Sequence, residues 1–503
     1  MNFYKINDTM KSFLKIVSIS FLLLTSVSSC EDFLNRPPQG ALTQSNFPST
    51  ADNALLATNA VYNTLRHSTY NQGLFPLLDI MSDDAHKGSN PDDAASNITP
   101  YDKFQHISTE GTLANWWNTL YLGVKRANVV TEKLPSIEMD ADKKARYMAE
   151  AKFLRALFYF DLVRAWGDVP LFTSTLPDLE MGRTPAAQVY TQIETDLLDA
   201  IEDLPLQYTG NDLGRATKGA ARALLARVYL FKKDYQKAAD YALLVINSEL
   251  YGLEPNFEDA NSIAGEHGIE SVFEVGAYGE EGLENGGNQY ANVQGVRGTP
   301  NRGWGFNRPS LNLINSFETG DPRKEATVIF LGEILDGVTI LGDGKTLDQT
   351  FDGSGNLIEI ECYNQKVWTP GQTVPPSFGH NRRLIRYADV LLMAAEALNE
   401  INQPALALDY LEDVRARARN ANASILPKIT TTDKALLRAA ILNERRHELA
   451  LEGFRFWDLL RTGKAVEVLG TLGFTQGKHE LFPIPQVELD LTGNKWAQNP
   501  GWE

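Results

Sequence analysis

Cysteine is almost missing: 503 residues hold two, Cys30 and Cys362, too few for a disulfide framework or a cysteine-built metal site. Histidine is scarce at seven, and basic charge is short, with 47 Lys and Arg against 64 Asp and Glu for a net charge of -17. A surface of that sign repels phosphate, and no basic patch offsets it, so nucleic acid is excluded as a partner. Signatures of catalysis are missing too: there is no GxSxG, no GxxxxGK[ST] and no GxGxxG after a strand, and HELALEG at 447–453 lacks the second histidine of a zinc-protease helix. DGSGN at 352–356 has neither the sixth-position glycine nor the twelfth-position glutamate of a calcium loop, and reads as a hairpin turn. What is present is 43% hydrophobic residues with only 22% charged, ample for packed cores and incompatible with general disorder.

The longest apolar run, Ile16 to Leu24, follows Lys11 and Lys15 and precedes Ser28, Ser29 and Cys30. It is shorter than the roughly 18–20 residues of a membrane span, and this order of features reads as an export signal over residues 1–29. VSSC resembles a bacterial lipobox, which implies cleavage before Cys30 and acylation of that cysteine. Removing residues 1–29 takes away Lys5, Lys11, Lys15 and Asp8 and leaves a net charge of -19. The mature chain is then an acidic body tethered by lipid alone. Residues 30–50, rich in proline and polar groups, read as a spacer.

Helical periodicity dominates 51–264 and returns over 381–503. In ADNALLATNAVYNTLR, Leu55, Asn59, Tyr62 and Arg66 share one side; in the next helix Trp117, Leu120, Val124, Asn128 and Leu134 have the spacing of a buried stripe. The block 143–166 ends at Gly167 and Pro170, and another helix opens with Thr184 as cap and Pro185 in the first turn. Residues 216–248 and 387–419 each read as a tetratricopeptide-like helix pair, with alanines where two helices cross. A continuous helix is expected from Thr432 to Leu460. Between 265 and 380 the texture changes to short strand-like pieces and glycine-rich loops, with nine glycines among the thirty residues from Gly276 to Gly305. The fold class is therefore mainly α: a helical-repeat scaffold with an irregular, loop-rich lobe of short strands.

Candidate functional residues fall in the loops. Asp83, Asp84 and His86, followed by Asp92 and Asp93, are the best local cluster of ligand or acid/base groups, although a solvated polar loop has the same composition. Tyr278, Tyr290, Trp304 and Phe306 lie in glycine-rich segments, and Tyr363 and Trp368 flank another loop, where rings exposed to solvent offer apolar platforms to a sugar face. Cys362, on the second strand of a hairpin over 351–368, is expected to be buried and inert. Glu444, Glu448 and Glu452 alternate with Arg445, Arg446 and Arg455 beside Phe454, Phe456 and Trp457; these charges need partners, and a structural network explains them better than catalysis by Glu444 and Asp458.

The motifs in order resemble the SusD/RagB family of outer-membrane nutrient-binding lipoproteins. They are Cys30 followed by EDFLN, WNTLYLGVKRANVV, AEAKFLRALFYFDLVRAWGDVPL, RYADVLLMAAEALN, NERRHELALEGFRFWDLLR, and LFPIPQVEL with QNPGW. The resemblance implies a non-catalytic protein on the outer face of the outer membrane, without a cofactor, that holds an oligosaccharide and delivers it to a SusC-like TonB-dependent transporter. The family motifs are scaffold, so no ligand contact transfers by motif. A hydrolase using loop carboxylates, or a peptide or glycoprotein binder of the same build, stays open, as do the identity of the glycan and any role for calcium.

Overall fold

Alanine and leucine at helical spacing set the architecture. The computed structural model describes residue 13 and residues 47–503 apart from 72–74, 177, 179, 280–287, 372–378, 421 and 494; the export signal, Cys30 and most of the spacer lie outside the described residues. The helices used below are α1 (Ala51–Leu65), α2 (Gly111–Lys133), α3 (Ala141–Trp166), α4 (Ala186–Asp203), α5 (Lys218–Lys232), α6 (Tyr235–Ile246), the short α7 (Tyr290–Gln294), α8 (Tyr387–Glu400), α9 (Pro404–Arg419), α10 (Lys434–Glu448) and α11 (Arg455–Arg461). Neighbours in sequence pack on each other, α1 on α2, α2 on α3, α3 on α4, α5 on α6 and α8 on α9, and α6 packs on α8 so that the two predicted pairs join. This is the expected helical-repeat scaffold.

Helix α3 is its centre. Asp140 caps it by accepting from the Lys143 N–H at 2.9 Å, and Gly167 at φ 70° ends it. Phe153, Phe158, Tyr159, Phe160 and Trp166 are fully buried along it, each large apolar side chain contributing about 1.5–3 kcal/mol by leaving water. Helix α2 reaches it through Gly123, where a Cβ would sit 2.4 Å from the Phe158 ring.

Three details depart from expectation. The buried side of α1 is Ala54, Ala57, Val61 and Leu65, not the side of Asn59 and Tyr62, because small residues let α2 and α3 approach. Thr184 does not cap α4: it bridges to Val169, and Asp168 Oδ1 accepts the Ala186 N–H at 2.8 Å instead. The expected helix over 432–460 is broken after Glu448, because Leu451 (φ 61°) and Gly453 (φ 82°) take left-handed backbone. The break frees the Gly453 N–H to donate to Asp79 Oδ1 at 2.9 Å.

Strands are short: β1 (Ala85–Gly88), β2 (Ser271–Val275), β3 (Phe306–Pro309), β4 (Val328–Phe330), β5 (Gln349–Phe351), β6 (Leu357–Ile360), β7 (Cys362–Asn364) and β8 (Arg382–Arg386). They form antiparallel pairs, β1 with β3, β2 with β8, β4 with β7 and β5 with β6. DGSGN is the β5–β6 turn, closed by Asp352 Oδ1 accepting the Ser354 and Asn356 N–H groups at 2.8 Å each. The hairpin ends at Ile360, so Cys362 belongs to the next strand and pairs with Phe330. Its thiol is buried, lies 3.4 Å from the Pro309 carbonyl and is pushed up to about 12 by burial, which leaves it unreactive at neutral pH.

The charged run of α10 and α11 is a buried ion-pair network. Glu444 accepts from Arg323 at 2.6 Å and Arg415 at 2.7 Å; Asp458 accepts from Arg461 at 2.7 Å and Arg445 at 3.3 Å. Arg386 on β8 bonds Glu452 at 2.9 Å, Glu448 at 3.0 Å and Glu270. Both Glu444 and Asp458 are held as counter-ions.

His106 lies buried in an aromatic nest, stacked 4.9 Å from the Tyr101 ring, with the Trp502 ring tilted against it at 4.9 Å. Burial holds it neutral, with a pKa lowered to about 3. An unfolded histidine takes a proton near pH 6.5 whereas this one does not, so its contribution to stability falls as pH drops from 6.5 towards 3. His106→Phe is therefore expected to gain on the native protein as the medium is acidified, by roughly 2 kcal/mol at a pH about two units below 6.5. Urea titrations at neutral and acid pH measure the difference; a gap that does not widen with acid would contradict it.

Candidate functional site

A cavity of about 310 Å³ lies where the segment after β1, the start of α2, helix α7 and the loop into β3 meet, with Ile98, Asn97, Asn115, Val293, Trp304 and Phe306 in its wall. Its aromatic side is fixed by backbone bonds. The Trp304 N–H donates to the Asn292 carbonyl of α7 at 2.7 Å, and the Gly305 N–H to the Gly295 carbonyl at 3.0 Å. Gly88 ends β1 at φ 71°, and a Cβ there would lie 2.4 Å from the Gly305 carbonyl oxygen. Only glycine allows this approach of β1 to the turn that presents Trp304. Phe306 is 8% exposed and pairs in register with Gly88, while Trp304 is half-buried, its ring held in the cavity wall.

Of the other sequence-predicted residues, Asp83 and Asp84 are clamped by arginines from the far end of the chain. Arg455 bonds Asp83 at 2.8 and 3.0 Å, and Arg446 bonds Asp83 at 2.9 Å and Asp84 at 2.7 Å. Burial opposes ionisation of Asp83, but the bonds and charge of Arg455 and Arg446 outweigh it and hold the carboxyl below its usual range; Asp84, more deeply buried, is pushed up by that burial. His86 lies on β1 opposite Arg308, with Nδ1 3.5 Å from Asp102, whose hydrogen bond and charge raise its pKa against the effect of burial. His86, expected in a loop, thus sits on a strand, and the short helix Thr99–Asp102 follows it. Among the described residues no three His, Cys, Asp or Glu side chains converge as metal ligands.

The aromatics separate into two kinds. Tyr278 is 61% exposed. Tyr290, expected on an exposed loop, instead begins α7 and is 7% exposed; its N–H donates to Asn288 Oδ1 at 3.0 Å, its carbonyl accepts from Gln294 Nε2 at 3.0 Å, and its ring lies 5.2 Å from the Arg382 guanidinium. Tyr363 is 4% exposed within the cluster of Val296, Ile329 and Ile340, since β7 is paired with β4 rather than looped. Trp368 packs on that cluster, donates from Nε1 to Asp336 at 2.7 Å and carries Arg302 over its ring at 5.2 Å. Of the six rings, the structure brings Trp304 and Phe306 together in one cavity.

Sequence reasoning missed Asn97, Ile98, Asn115 and Val293. They come from three separate segments, and only the fold unites them. Two larger hollows, about 470 and 560 Å³, meet around Leu213, Arg215 and His267. No tryptophan lines either among the described residues, and of the side chains in their walls Arg215 is paired with Glu150 at 2.8 Å and His267 Nδ1 lies 3.0 Å from Glu274.

Comparison with known proteins places this chain in a lineage. Residues 269–502 match the SusD family, and residues 32–230 match a family described as starch-binding and associating with the outer membrane. SusD-like protein P2 of Formosa agariphila is 31% identical, over 97% of this chain and 100% of that protein. A solved laminarin-binding SusD-like protein superposes with a TM-score of 0.76 at 31% identity, over 90% of this chain and all of the other. Surface glycan-binding protein A from Bacteroides thetaiotaomicron, solved with laminarihexaose, superposes with a TM-score of 0.74 at 26% identity, over 90% of this chain and all of that one. With full-length identity, matching family regions and a shared helical scaffold, this chain belongs to the SusD family.

Proposed function

We propose that this chain is a lipid-anchored, outward-facing glycan-binding protein that holds an oligosaccharide against Trp304 and passes it to a SusC-like TonB-dependent transporter. Membership of the family makes it a non-catalytic glycan binder of a Sus-type system, a role typically played beside a SusC transporter. The anchor would be Cys30; among the described residues no helix is long and apolar enough to cross a membrane. The observation that carries the reading is the Trp304 cavity, a half-buried indole on a rigid turn in a chain so similar to a laminarin-binding protein. An aromatic face offers apolar area to the CH groups of a sugar, while amides and hydroxyls beside it bond the ring oxygens. Tethering keeps the captured glycan at high local concentration near the transporter mouth, so modest affinity suffices.

Laminarin and laminarihexaose are the first ligands to test, followed by a wider glycan panel. Calorimetric titration is expected to show saturable binding of at least one glycan with no new reducing ends on prolonged incubation. Accumulating reducing ends, or retention of peptides in place of every glycan, would overturn the proposal.

A further inference from the structure

We infer that the Trp304 cavity selects uncharged sugars, with the amides of Asn97 and Asn115 choosing which hydroxyls it accepts; this deepens the glycan-binding reading and rests on it. The chain is 22% charged and strongly acidic, yet none of the eleven described residues lining this cavity is Asp, Glu, Lys, Arg or His. Charge has been kept out of the wall, not balanced within it, whereas the two larger hollows carry charged side chains, Arg215 with its partner Glu150 among them.

Two cations of the neighbouring segments are committed elsewhere. Lys87 sits 5.9 Å from the centre of the Phe306 ring, but its Nζ donates to the carbonyls of Asn90 and Asp93 at 2.8 Å and of Pro91 at 3.2 Å. Arg297 is held by Asp343 at 2.8 Å and by Asp93. A uronate or sulfate entering here would lose its hydration without meeting a counter-ion. A sugar hydroxyl loses only water bonds, and the wall can return them. Among the described residues Asn115 makes no side-chain bond, and Asn97 uses only Oδ1, as acceptor from Ser96 at 2.9 Å. A carboxamide both donates and accepts, which suits a hydroxyl that does the same.

The experiment uses the mature protein and two sets of hexasaccharides matched in length. One set is uncharged, built of glucose (laminarihexaose), xylose or mannose; the other carries uronate or sulfate. Calorimetry at low and high salt is expected to find an uncharged member held with a Kd that moves less than about twofold with salt, and every charged member at least roughly tenfold weaker. Asn97→Ala and Asn115→Ala should each weaken the best uncharged ligand by about fivefold to tenfold; both side chains are exposed, so the circular dichroism and melting of the variants should be unchanged. A charged sugar that binds more tightly, weakens with salt and depends on Trp304 would overturn the inference while leaving glycan binding in place. If neither set binds, both readings fall. Unchanged affinity in both asparagine variants would remove the assignment of those amides.

Discussion

Arg386→Met is expected to destabilise the protein by about 3–5 kcal/mol, because it strips the counter-charge from carboxylates that cannot reach water. Arg386 is 1% exposed, and its guanidinium bonds Glu452 through Nε and Nη2 at 2.9 Å each, Glu448 at 3.0 Å, the Glu448 carbonyl at 2.9 Å and Glu270. Methionine replaces the apolar stem of arginine but carries no charge and stops short of the carboxylates. Arg417 and Lys366 stay, at 2.9 Å from Glu270 and 2.6 Å from Glu452, and relieve part of the repulsion. Lys428→Ala, which removes an exposed partner 3.4 Å from Glu412, should cost less than about 1 kcal/mol. Urea unfolding of the two variants compares them directly, and equal midpoints would show that the network contributes specificity and not stability.

Trp304→Ala is expected to weaken the best glycan by roughly thirtyfold or more, about 2 kcal/mol, while the melting temperature stays near the native value. The ring is half-buried and its loop is held by backbone bonds, to the Asn292 and Gly295 carbonyls, which the substitution leaves intact. Trp368→Ala is expected to do the reverse. It empties space against Val296, Ile329, Ile340 and Tyr363 and uncovers Arg302, so stability falls by about 2–4 kcal/mol while affinity changes little. Affinity loss in Trp368→Ala with Trp304→Ala unaffected would move the site to the other ring.

The helices could be read because their signal is local. In α5, α6, α8 and α9, alanines recur at the spacing that lets two helices touch, and no distant residue is needed to see it. The charged run of α10 and α11 announced that partners were required but not which ones: Arg455 finds Asp83 across 372 residues of sequence and Arg446 finds Asp84 across 362. The break at Leu451 and Gly453 escaped notice because a helical pattern continues through it, and the backbone turns there to reach Asp79. The candidate site was legible only in part. Trp304 and Phe306 stand out in a glycine-rich segment, but so does Tyr290, and Tyr363 beside another loop looks no different; composition cannot tell a ring facing a cavity from one that α7 or β7 draws inward. Asn97 and Asn115 carry no local signal, since their meaning depends on a wall assembled from other segments.

The clamp on Asp83 and Asp84 ties the schedule of maturation to the last quarter of the polypeptide. A nascent chain emerges amino end first, so these two acids, bracketed by the cavity-forming segments Ser68–Thr69 and Asn97–Ile98, must stay hydrated until Arg446 and Arg455 arrive. Contacts so remote slow the final collapse. A truncated product ending before Arg446 would leave Asp83 and Asp84 without the guanidiniums that neutralise them, so the packing of an early segment waits on residues made near the end of synthesis.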